Sequence, residues 1–189
     1  MNFINLAHFV PCTENEGPGK RAVIWVQGCH FDCEGCCNLD LQPFRAANLV
    51  DIESLIGNVK RAVELYGIEG ITLVGGEPML QAKNLSILAK FFQKVGLSVI
   101  VFTGFTFDLL KIKPLLGSNE LLANTDILID GLYLKNRPER VRNWCGSSNQ
   151  EFHYLSNKYD SSIETDSRYI PTIEIAVDKE LIRVNGYPL

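Results

Sequence analysis

The chain has 189 residues, of which 46% are hydrophobic, so its length and apolar content are those of one domain with a buried core. Its formal net charge of −4 excludes a basic surface that would hold nucleic acid or an anionic membrane. The first ten residues have no cationic lead, and no segment reaches the roughly 20 apolar residues of a membrane helix, so we expect a cytoplasmic protein.

Strands alternate with helices along most of the chain, after a Gly- and Pro-rich segment at 11–20 that is predicted to be a loop. Continuously apolar runs, typical of strands covered on both faces of a parallel sheet, predict strands at 21–27, 70–74, 97–102 and 127–129, with a further candidate at 152–155. Helical spacing of apolar residues predicts helices at about 52–66, 85–95 and 107–113, with another turn near 120–123. Asp51 and Thr106 are the predicted helix caps.

This alternation predicts an α/β fold with right-handed βαβ crossovers and one mostly parallel sheet. Four units are too few for a closed barrel, so we expect a partial (β/α) barrel or an open curved sheet. Near the end, residues 172–177 alternate with Ile173, Ile175 and Val177 facing inward, and a turn at 178–179 leads into a return strand at 181–184. We expect this β-hairpin to pack on the core, so that residues 161–189 form a C-terminal extension of a 1–160 core within a single domain.

Four of the six cysteines lie in one short segment, residues 29–37, which we call the cysteine loop. Cytosolic thiols are kept reduced, so this clustering favours metal or redox chemistry over a disulfide framework. The other two, Cys12 and Cys145, are predicted to be ordinary thiols. The loop follows the first predicted strand at its carboxyl end, where α/β sheets and barrels place their sites.

Within the loop, Cys29, Cys33 and Cys36 have the spacing C-x3-C-x2-C. Iron-sulfur clusters are held by cysteine thiolates, and a four-iron cluster bound by three of them keeps one iron open for a small molecule. We therefore predict a [4Fe-4S] cluster on these three thiolates. A structural zinc site that also uses Cys37, or a disulfide, is the alternative, although no second half with zinc-ligand spacing follows downstream.

Short motifs occur in an order that is specific for one enzyme family. They are Gly17-Pro18-Gly19-Lys20-Arg21, Gln27-Gly28, Gly75-Gly76-Glu77-Pro78, Asp130-Gly131 and Gly146-Ser147-Ser148-Asn149-Gln150. Together with C-x3-C-x2-C, the signature of radical S-adenosylmethionine (SAM) enzymes, they make the chain resemble the anaerobic ribonucleotide reductase activating proteins. The resemblance covers about residues 17–150.

The resemblance implies a radical SAM oxidoreductase of the partial-barrel type. In that family the open iron binds the amino and carboxylate groups of SAM, and the reduced cluster cleaves SAM to methionine and a 5'-deoxyadenosyl radical. The radical abstracts hydrogen from a glycine of a partner enzyme. The implied partners are a large glycyl-radical enzyme such as anaerobic ribonucleotide reductase, and a flavodoxin or ferredoxin as electron donor.

The resemblance also implies which residues contact SAM beside the cluster ligands. Gly75 and Gly76 would let SAM approach the backbone closely, and Glu77 would accept a charge-assisted hydrogen bond from its ammonium group. Thr103 and Asp130 stand at strand ends, where each is either a SAM contact or a partner of local backbone groups. The complete set of implied SAM contacts is Gly35, Cys37, Gly75, Gly76, Glu77, Thr103 and Asp130.

Two departures from the family keep other functions open. Cys145 stands where the activating proteins usually carry a basic residue, and the tail after about residue 161 extends beyond their usual end. The alternatives to an activase are a radical SAM enzyme that modifies another protein, a peptide or a small metabolite, and a non-catalytic iron-sulfur or zinc module that only binds a partner.

Overall fold

The computed structural model describes residues 2–169, 172–177 and 182–186. The main sheet contains β1 (Phe3–Thr13), β2 (Arg21–Val26), β3 (Asn48–Asp51), β4 (Gly70–Gly75), β5 (Ser98–Phe102), β6 (Ile127–Asp130) and β7 (Glu151–Tyr154). Their order across the sheet is β3-β1-β2-β4-β5-β6-β7. The strands β2, β4, β5 and β6 pair in parallel, which confirms the predicted mostly parallel sheet.

The edges of the sheet differ from the prediction. β1 lies antiparallel between β2 and β3, and β7 pairs antiparallel with β6. Neither β1 nor β3 was predicted, and residues 11–13, expected in a loop, belong to β1. Polar residues such as Asn5 and His8 interrupt the apolar pattern of β1, and its register with β2 is irregular. Because β3 and β7 end the sheet, the described strands do not close into a barrel.

Four helices connect the parallel strands: α1 (Ile52–Tyr66), α2 (Ala82–Lys94), α3 (Phe107–Ile112) and α4 (Ser118–Leu122). Asp51 caps α1 by accepting a hydrogen bond from Ser54 N–H, and Gly67 ends the helix in the left-handed conformation. Thr106 caps α3 through Leu109 N–H. The predicted helices and both predicted caps are therefore confirmed. Among the described helices, none is long and apolar enough to cross a bilayer.

The two faces of the sheet are covered by different parts of the chain. Neighbouring strand residues point to opposite faces, so Val101 packs with the helices whereas Ile100 faces the other side. Leu128 and Ile129 divide in the same way. The helix side has the larger core, and the irregular chain after β6 covers the smaller core on the other side, where Cys145 is buried.

Near the end of the chain, β8 (Ile173–Val177) and β9 (Ile182–Gly186) form a separate antiparallel sheet. This pair confirms the predicted C-terminal hairpin, while its predicted turn at 178–179 and Leu181 lie outside the described residues. The inward orientation predicted for the apolar residues of β8 is wrong. Ile173, Ile175 and Val177 are 47%, 65% and 71% exposed, because this face of the hairpin packs on neither core.

Candidate functional site

The cysteine loop begins directly after β2, as predicted, and hydrogen bonds from the returning chain fix its start. Gly28 N–H donates to the Leu41 carbonyl at 2.8 Å, and Cys29 N–H donates to the Gln42 carbonyl at 2.9 Å. The Gln27 side chain, which is buried, donates to two further carbonyls of the returning segment. The loop therefore leaves the sheet in a defined direction although it has no regular structure of its own.

One large cavity, of about 1170 Å³, lies beside this loop. It brings together nine of the ten residues predicted for the site: Cys29, Cys33, Gly35, Cys36, Cys37, Gly75, Gly76, Glu77 and Thr103. The predicted cluster ligands are partly buried free thiols, and burial raises the pKa of Cys29 to about 11. Iron binding to these thiols must therefore displace protons.

The arrangement of the three thiols differs from that of a preformed zinc site. Sulfur atoms that surround one zinc ion at about 2.3 Å lie about 3.8 Å apart. Within the described residues, the one group of three potential ligands whose atoms all lie within 4.8 Å of one another is Asp130, Glu151 and His153, not the cysteines. The three thiols are therefore not gathered around one point as zinc ligands are. Cysteine thiolates are the usual ligands of iron-sulfur clusters, so the donor set suits a [4Fe-4S] cluster.

Glu77 is a buried carboxylate on the wall of the same cavity, with 1% of its surface exposed. Its Oε1 accepts hydrogen bonds from Met79 N–H at 2.8 Å and from the Thr103 hydroxyl at 2.7 Å, and its Oε2 accepts one from Gly104 N–H at 2.8 Å. Burial raises the pKa of Glu77 to about 7, and these three donors oppose the rise. The carboxylate is thus held in one orientation, and Oε2 retains capacity for a further donor.

Gly75 and Gly76 are required by the packing of two strands. A Cβ on Gly75 would lie 2.5 Å from the Val26 nitrogen, and one on Gly76 would lie 2.4 Å from the Gly28 carbonyl oxygen. Gly75 also has a φ of +116°, which favours glycine. The close approach that the sequence attributed to SAM is therefore made by the backbone of β2 and the start of the cysteine loop, although both glycines also line the cavity.

Asp130 lies apart from the other predicted contacts. Its carboxylate accepts a hydrogen bond from Phe107 N–H, and its Oδ2 lies 3.0 Å from His153 Nε2. Asp130 is not among the residues that line the cavity, whereas its neighbour Gly131 is. A contact between Asp130 and SAM stays a prediction.

Two further motifs hold the backbone around the site. Arg21 is completely buried and donates hydrogen bonds of 2.7–3.1 Å to the Thr72 hydroxyl, to the hydroxyl and carbonyl of Ser98, and to the carbonyls of Pro18 and Ile71. This network joins the Gly-Pro-Gly-Lys-Arg segment to β4 and β5. The motif therefore supports three neighbouring strands, β2, β4 and β5.

The 146–150 motif acts in a similar way on the chain after β6. Gln150 Oε1 accepts hydrogen bonds from the backbone N–H groups of Gly146 and Ser147, and its Nε2 donates to the Gly131 carbonyl. Asn149 Nδ2 donates to the Leu132 carbonyl at 2.8 Å. The motif therefore fixes residues 131 and 132 where they line the cavity.

Sequence reasoning missed two walls of the cavity. β1 contributes residues 7–12, including Cys12, and the hairpin contributes Glu174 and residues 184–186. Glu16 also lines the cavity, and burial together with the charge of Glu174 raises its pKa to about 8. No sequence signal identified these residues, because they reach the site through pairing and docking over long distances in the chain.

The comparisons with known proteins identify an iron-sulfur domain and a family. The family of 4Fe-4S single cluster domains matches residues 15–153. The anaerobic ribonucleoside-triphosphate reductase-activating protein of Enterobacteria phage T4 is 34% identical over 154 residues, which cover 78% of this chain and 92% of the relative. The protein of the same name from Escherichia coli K12 is 29% identical over 163 residues, covering 80% and 99%.

A third relative extends the match beyond the reductase-activating proteins. It is a putative glycyl-radical enzyme activating enzyme of Haemophilus influenzae, 26% identical over 176 residues that cover 89% of this chain and 66% of the relative. The iron-sulfur domain and the activase family predicted from the sequence are both confirmed. The chain belongs to the family of anaerobic ribonucleoside-triphosphate reductase-activating proteins and contains its 4Fe-4S single cluster domain.

Proposed function

We propose that this chain is a radical SAM activase that forms a glycyl radical on anaerobic ribonucleoside-triphosphate reductase. One observation carries the proposal: the same cavity is lined by the three thiols of the C-x3-C-x2-C loop and by Glu77, a buried carboxylate whose Oε2 accepts one hydrogen bond and can accept another. A metal centre with an open iron and an acceptor for an ammonium group are the two features that SAM needs.

Cys29, Cys33 and Cys36 would hold the [4Fe-4S] cluster. Gly35 and Cys37 line the cavity beside them and would contact SAM through their backbone. When bound and reduced by one electron, the cluster supplies cleavage of SAM to methionine and a 5'-deoxyadenosyl radical, which leaves as 5'-deoxyadenosine after taking hydrogen from the partner's glycine. A flavodoxin or ferredoxin would supply the electron.

Glu77 would orient SAM by accepting a hydrogen bond from its ammonium group at Oε2. Thr103 acts through Glu77, because its hydroxyl is already donated to Oε1. Gly75 and Gly76 keep the adjoining strands close and so place Glu77 on the cavity wall. Asp130 does not line the cavity, and it would act by positioning its neighbour Gly131, which does.

The cavity is large for a small-molecule site, which supports entry of a partner's segment beside SAM. Pockets for small molecules usually measure roughly 300–1,000 Å³, and this one is larger, at about 1170 Å³.

We assign the sheet to the partial (β/α) barrel type, with residues 1–160 as its core and 161–189 as an extension. A sheet open at its edges leaves a path by which a glycine segment of the reductase reaches the cavity.

The test is anaerobic reconstitution with iron and sulfide, followed by iron analysis and assay of 5'-deoxyadenosine from SAM under dithionite. We expect about four irons per chain and SAM cleavage, and a glycyl radical signal by electron paramagnetic resonance when the reductase is added. Cys33→Ala should lose cluster and cleavage, while Cys12→Ala, a thiol on the same cavity, should retain both. Bound zinc without cleavage, or loss of iron from the Cys12 variant, would contradict the assignment.

A further inference from the structure

The C-terminal hairpin is held to the rest of the chain by polar side chains. Asn15 Oδ1 accepts a hydrogen bond from the Thr172 hydroxyl at 2.7 Å, and Asn185 Nδ2 donates to the Thr13 hydroxyl at 2.9 Å. Asn15 Nδ2 in turn donates to the Asn185 carbonyl at 3.4 Å. A two-stranded sheet is marginal by itself, so these reciprocal asparagine contacts fix the hairpin in place.

This attachment leaves an apolar face of the hairpin exposed. We call it the hairpin stripe, formed by Ile173, Ile175, Val177 and Val184. Ile175 and Val184 are cross-strand partners, and they are 65% and 67% exposed. Apolar side chains that stand together on an otherwise solvated sheet indicate a surface that binds another molecule.

The stripe is continuous with the candidate active site. Val184 belongs to the stripe and also lines the cavity. Its neighbours Asn185 and Gly186 line the cavity too, although they are not part of the stripe. Glu174, on the opposite face of β8 from Ile173 and Ile175, lines the same cavity. Val184 is therefore the residue that joins the stripe to the wall of the cavity that contains the predicted cluster thiols.

The size and shape of the stripe favour one occupant. Four aliphatic side chains offer a few hundred Å², below the roughly 800 Å² per partner of a stable interface. A two-fold dimer made only through this face would be too small, whereas a protein that also inserts a segment into the cavity buries much more. The hairpin meets this requirement, since Glu174 and residues 184–186 line the cavity that such a segment would enter.

We propose that the hairpin stripe is the docking surface for the glycyl-radical enzyme whose glycine enters the cavity. The inference rests on the proposed function, because that function requires a protein partner at the cavity. It goes beyond the family likeness, since the family of 4Fe-4S single cluster domains matches residues 15–153 and the hairpin lies outside that range.

The test removes the apolar character of the stripe and keeps its shape. Ile175→Thr with Val177→Thr retains β-branched side chains, which favour strands, and neither residue lines the cavity. Ile112→Thr is the matched control, because Ile112 is 83% exposed, lies in α3 and does not line the cavity. The probe is the anaerobic ribonucleoside-triphosphate reductase of the same organism, with its Kd for each reconstituted variant measured by anaerobic titration.

We expect the double variant to bind the reductase about tenfold or more weakly and the control to bind as the wild type does. Formation of 5'-deoxyadenosine under dithionite without reductase should be unchanged in both, since neither changes a proposed ligand of the cluster or of SAM. Equal binding by the double variant and the wild type would overturn the docking proposal. So would reduced self-association of the double variant in sedimentation equilibrium with unchanged reductase binding, which would assign the stripe to a second copy.

The two proposals fail in different experiments. Absence of SAM cleavage by the wild type would refute the proposed chemistry, while the binding comparison would still decide the role of the stripe. Cleavage without any binding of the reductase would overturn the docking proposal and leave the SAM chemistry standing.

Discussion

Thr103→Val should destabilise the protein through Glu77. The Thr103 hydroxyl donates to the Glu77 carboxylate at 2.7 Å and accepts a hydrogen bond from Phe105 N–H at 3.2 Å. A hydrogen bond to a charged group contributes about 1.5–3 kcal/mol and a neutral one about 1 kcal/mol. Valine has a similar shape and makes neither, so we expect a loss of about 3 kcal/mol in the free energy of unfolding where Glu77 is ionised.

The loss should depend on pH. Burial raises the pKa of Glu77 from 4.5 to about 7, so the contribution of this group to stability is complete below its unfolded pKa and falls as the pH rises through 7. The hydroxyl favours the charged form, and its removal raises the pKa further. Thr103→Val should therefore cost more at about pH 8 than at about pH 5.5.

Urea unfolding of the iron-free protein at both pH values measures the effect, with Thr103→Ser as the control that keeps the hydroxyl. The serine variant should retain most of the stability and the same pH dependence as the wild type. A loss below about 1 kcal/mol for the valine variant, or one that is equal at the two pH values, would refute the coupling between Thr103 and Glu77.

Three other substitutions test the surroundings of the site. Gly76→Ala should destabilise the protein by about 2 kcal/mol or more in urea unfolding, because its Cβ would meet the Gly28 carbonyl at 2.4 Å. Gly57→Ala is the control: it has open space around it in α1 and should stabilise the protein by about 0.5–1 kcal/mol. Arg21→Met should cost about 3–5 kcal/mol, because it leaves the acceptors of a buried cation unpaired, and equal stability would contradict the role of that network. Cys145 should react with a thiol reagent only after unfolding, because burial raises its pKa to about 12; rapid labelling of Cys145 in the native protein, located by mass spectrometry, would contradict its burial.

Features that depend on short segments could be predicted from the sequence. The cysteine spacing is contained in eight residues, and the buried strands β2, β4, β5 and β6 are read from local apolar runs. The helix caps Asp51 and Thr106 are equally local, because each side chain accepts from an N–H group three residues later.

Features that depend on distant pairing could not be predicted. β1 owes its place to two neighbouring strands, and Asn5, His8 and Pro11 interrupt the apolar pattern that would have indicated a strand. The orientation of the hairpin depends on Asn15 and Thr172, which are 157 residues apart, so its alternation indicated two faces without indicating which one meets the core. The function of Gly76 likewise depends on its distance from Gly28.

The unequal covering of the two sheet faces has a consequence for motion. Among the described residues, 24 buried apolar side chains form the core on the helix side, whereas five form the core beneath the chain after β6. Local opening of that chain would expose far less apolar surface than global unfolding, so its amide hydrogens should exchange much faster than those of β2, β4 and β5. The chain after β6 also contacts the cysteine loop, where Lys135 pairs with Glu34 at 2.8 Å, so such opening would loosen one side of the candidate site while the sheet behind it stays intact.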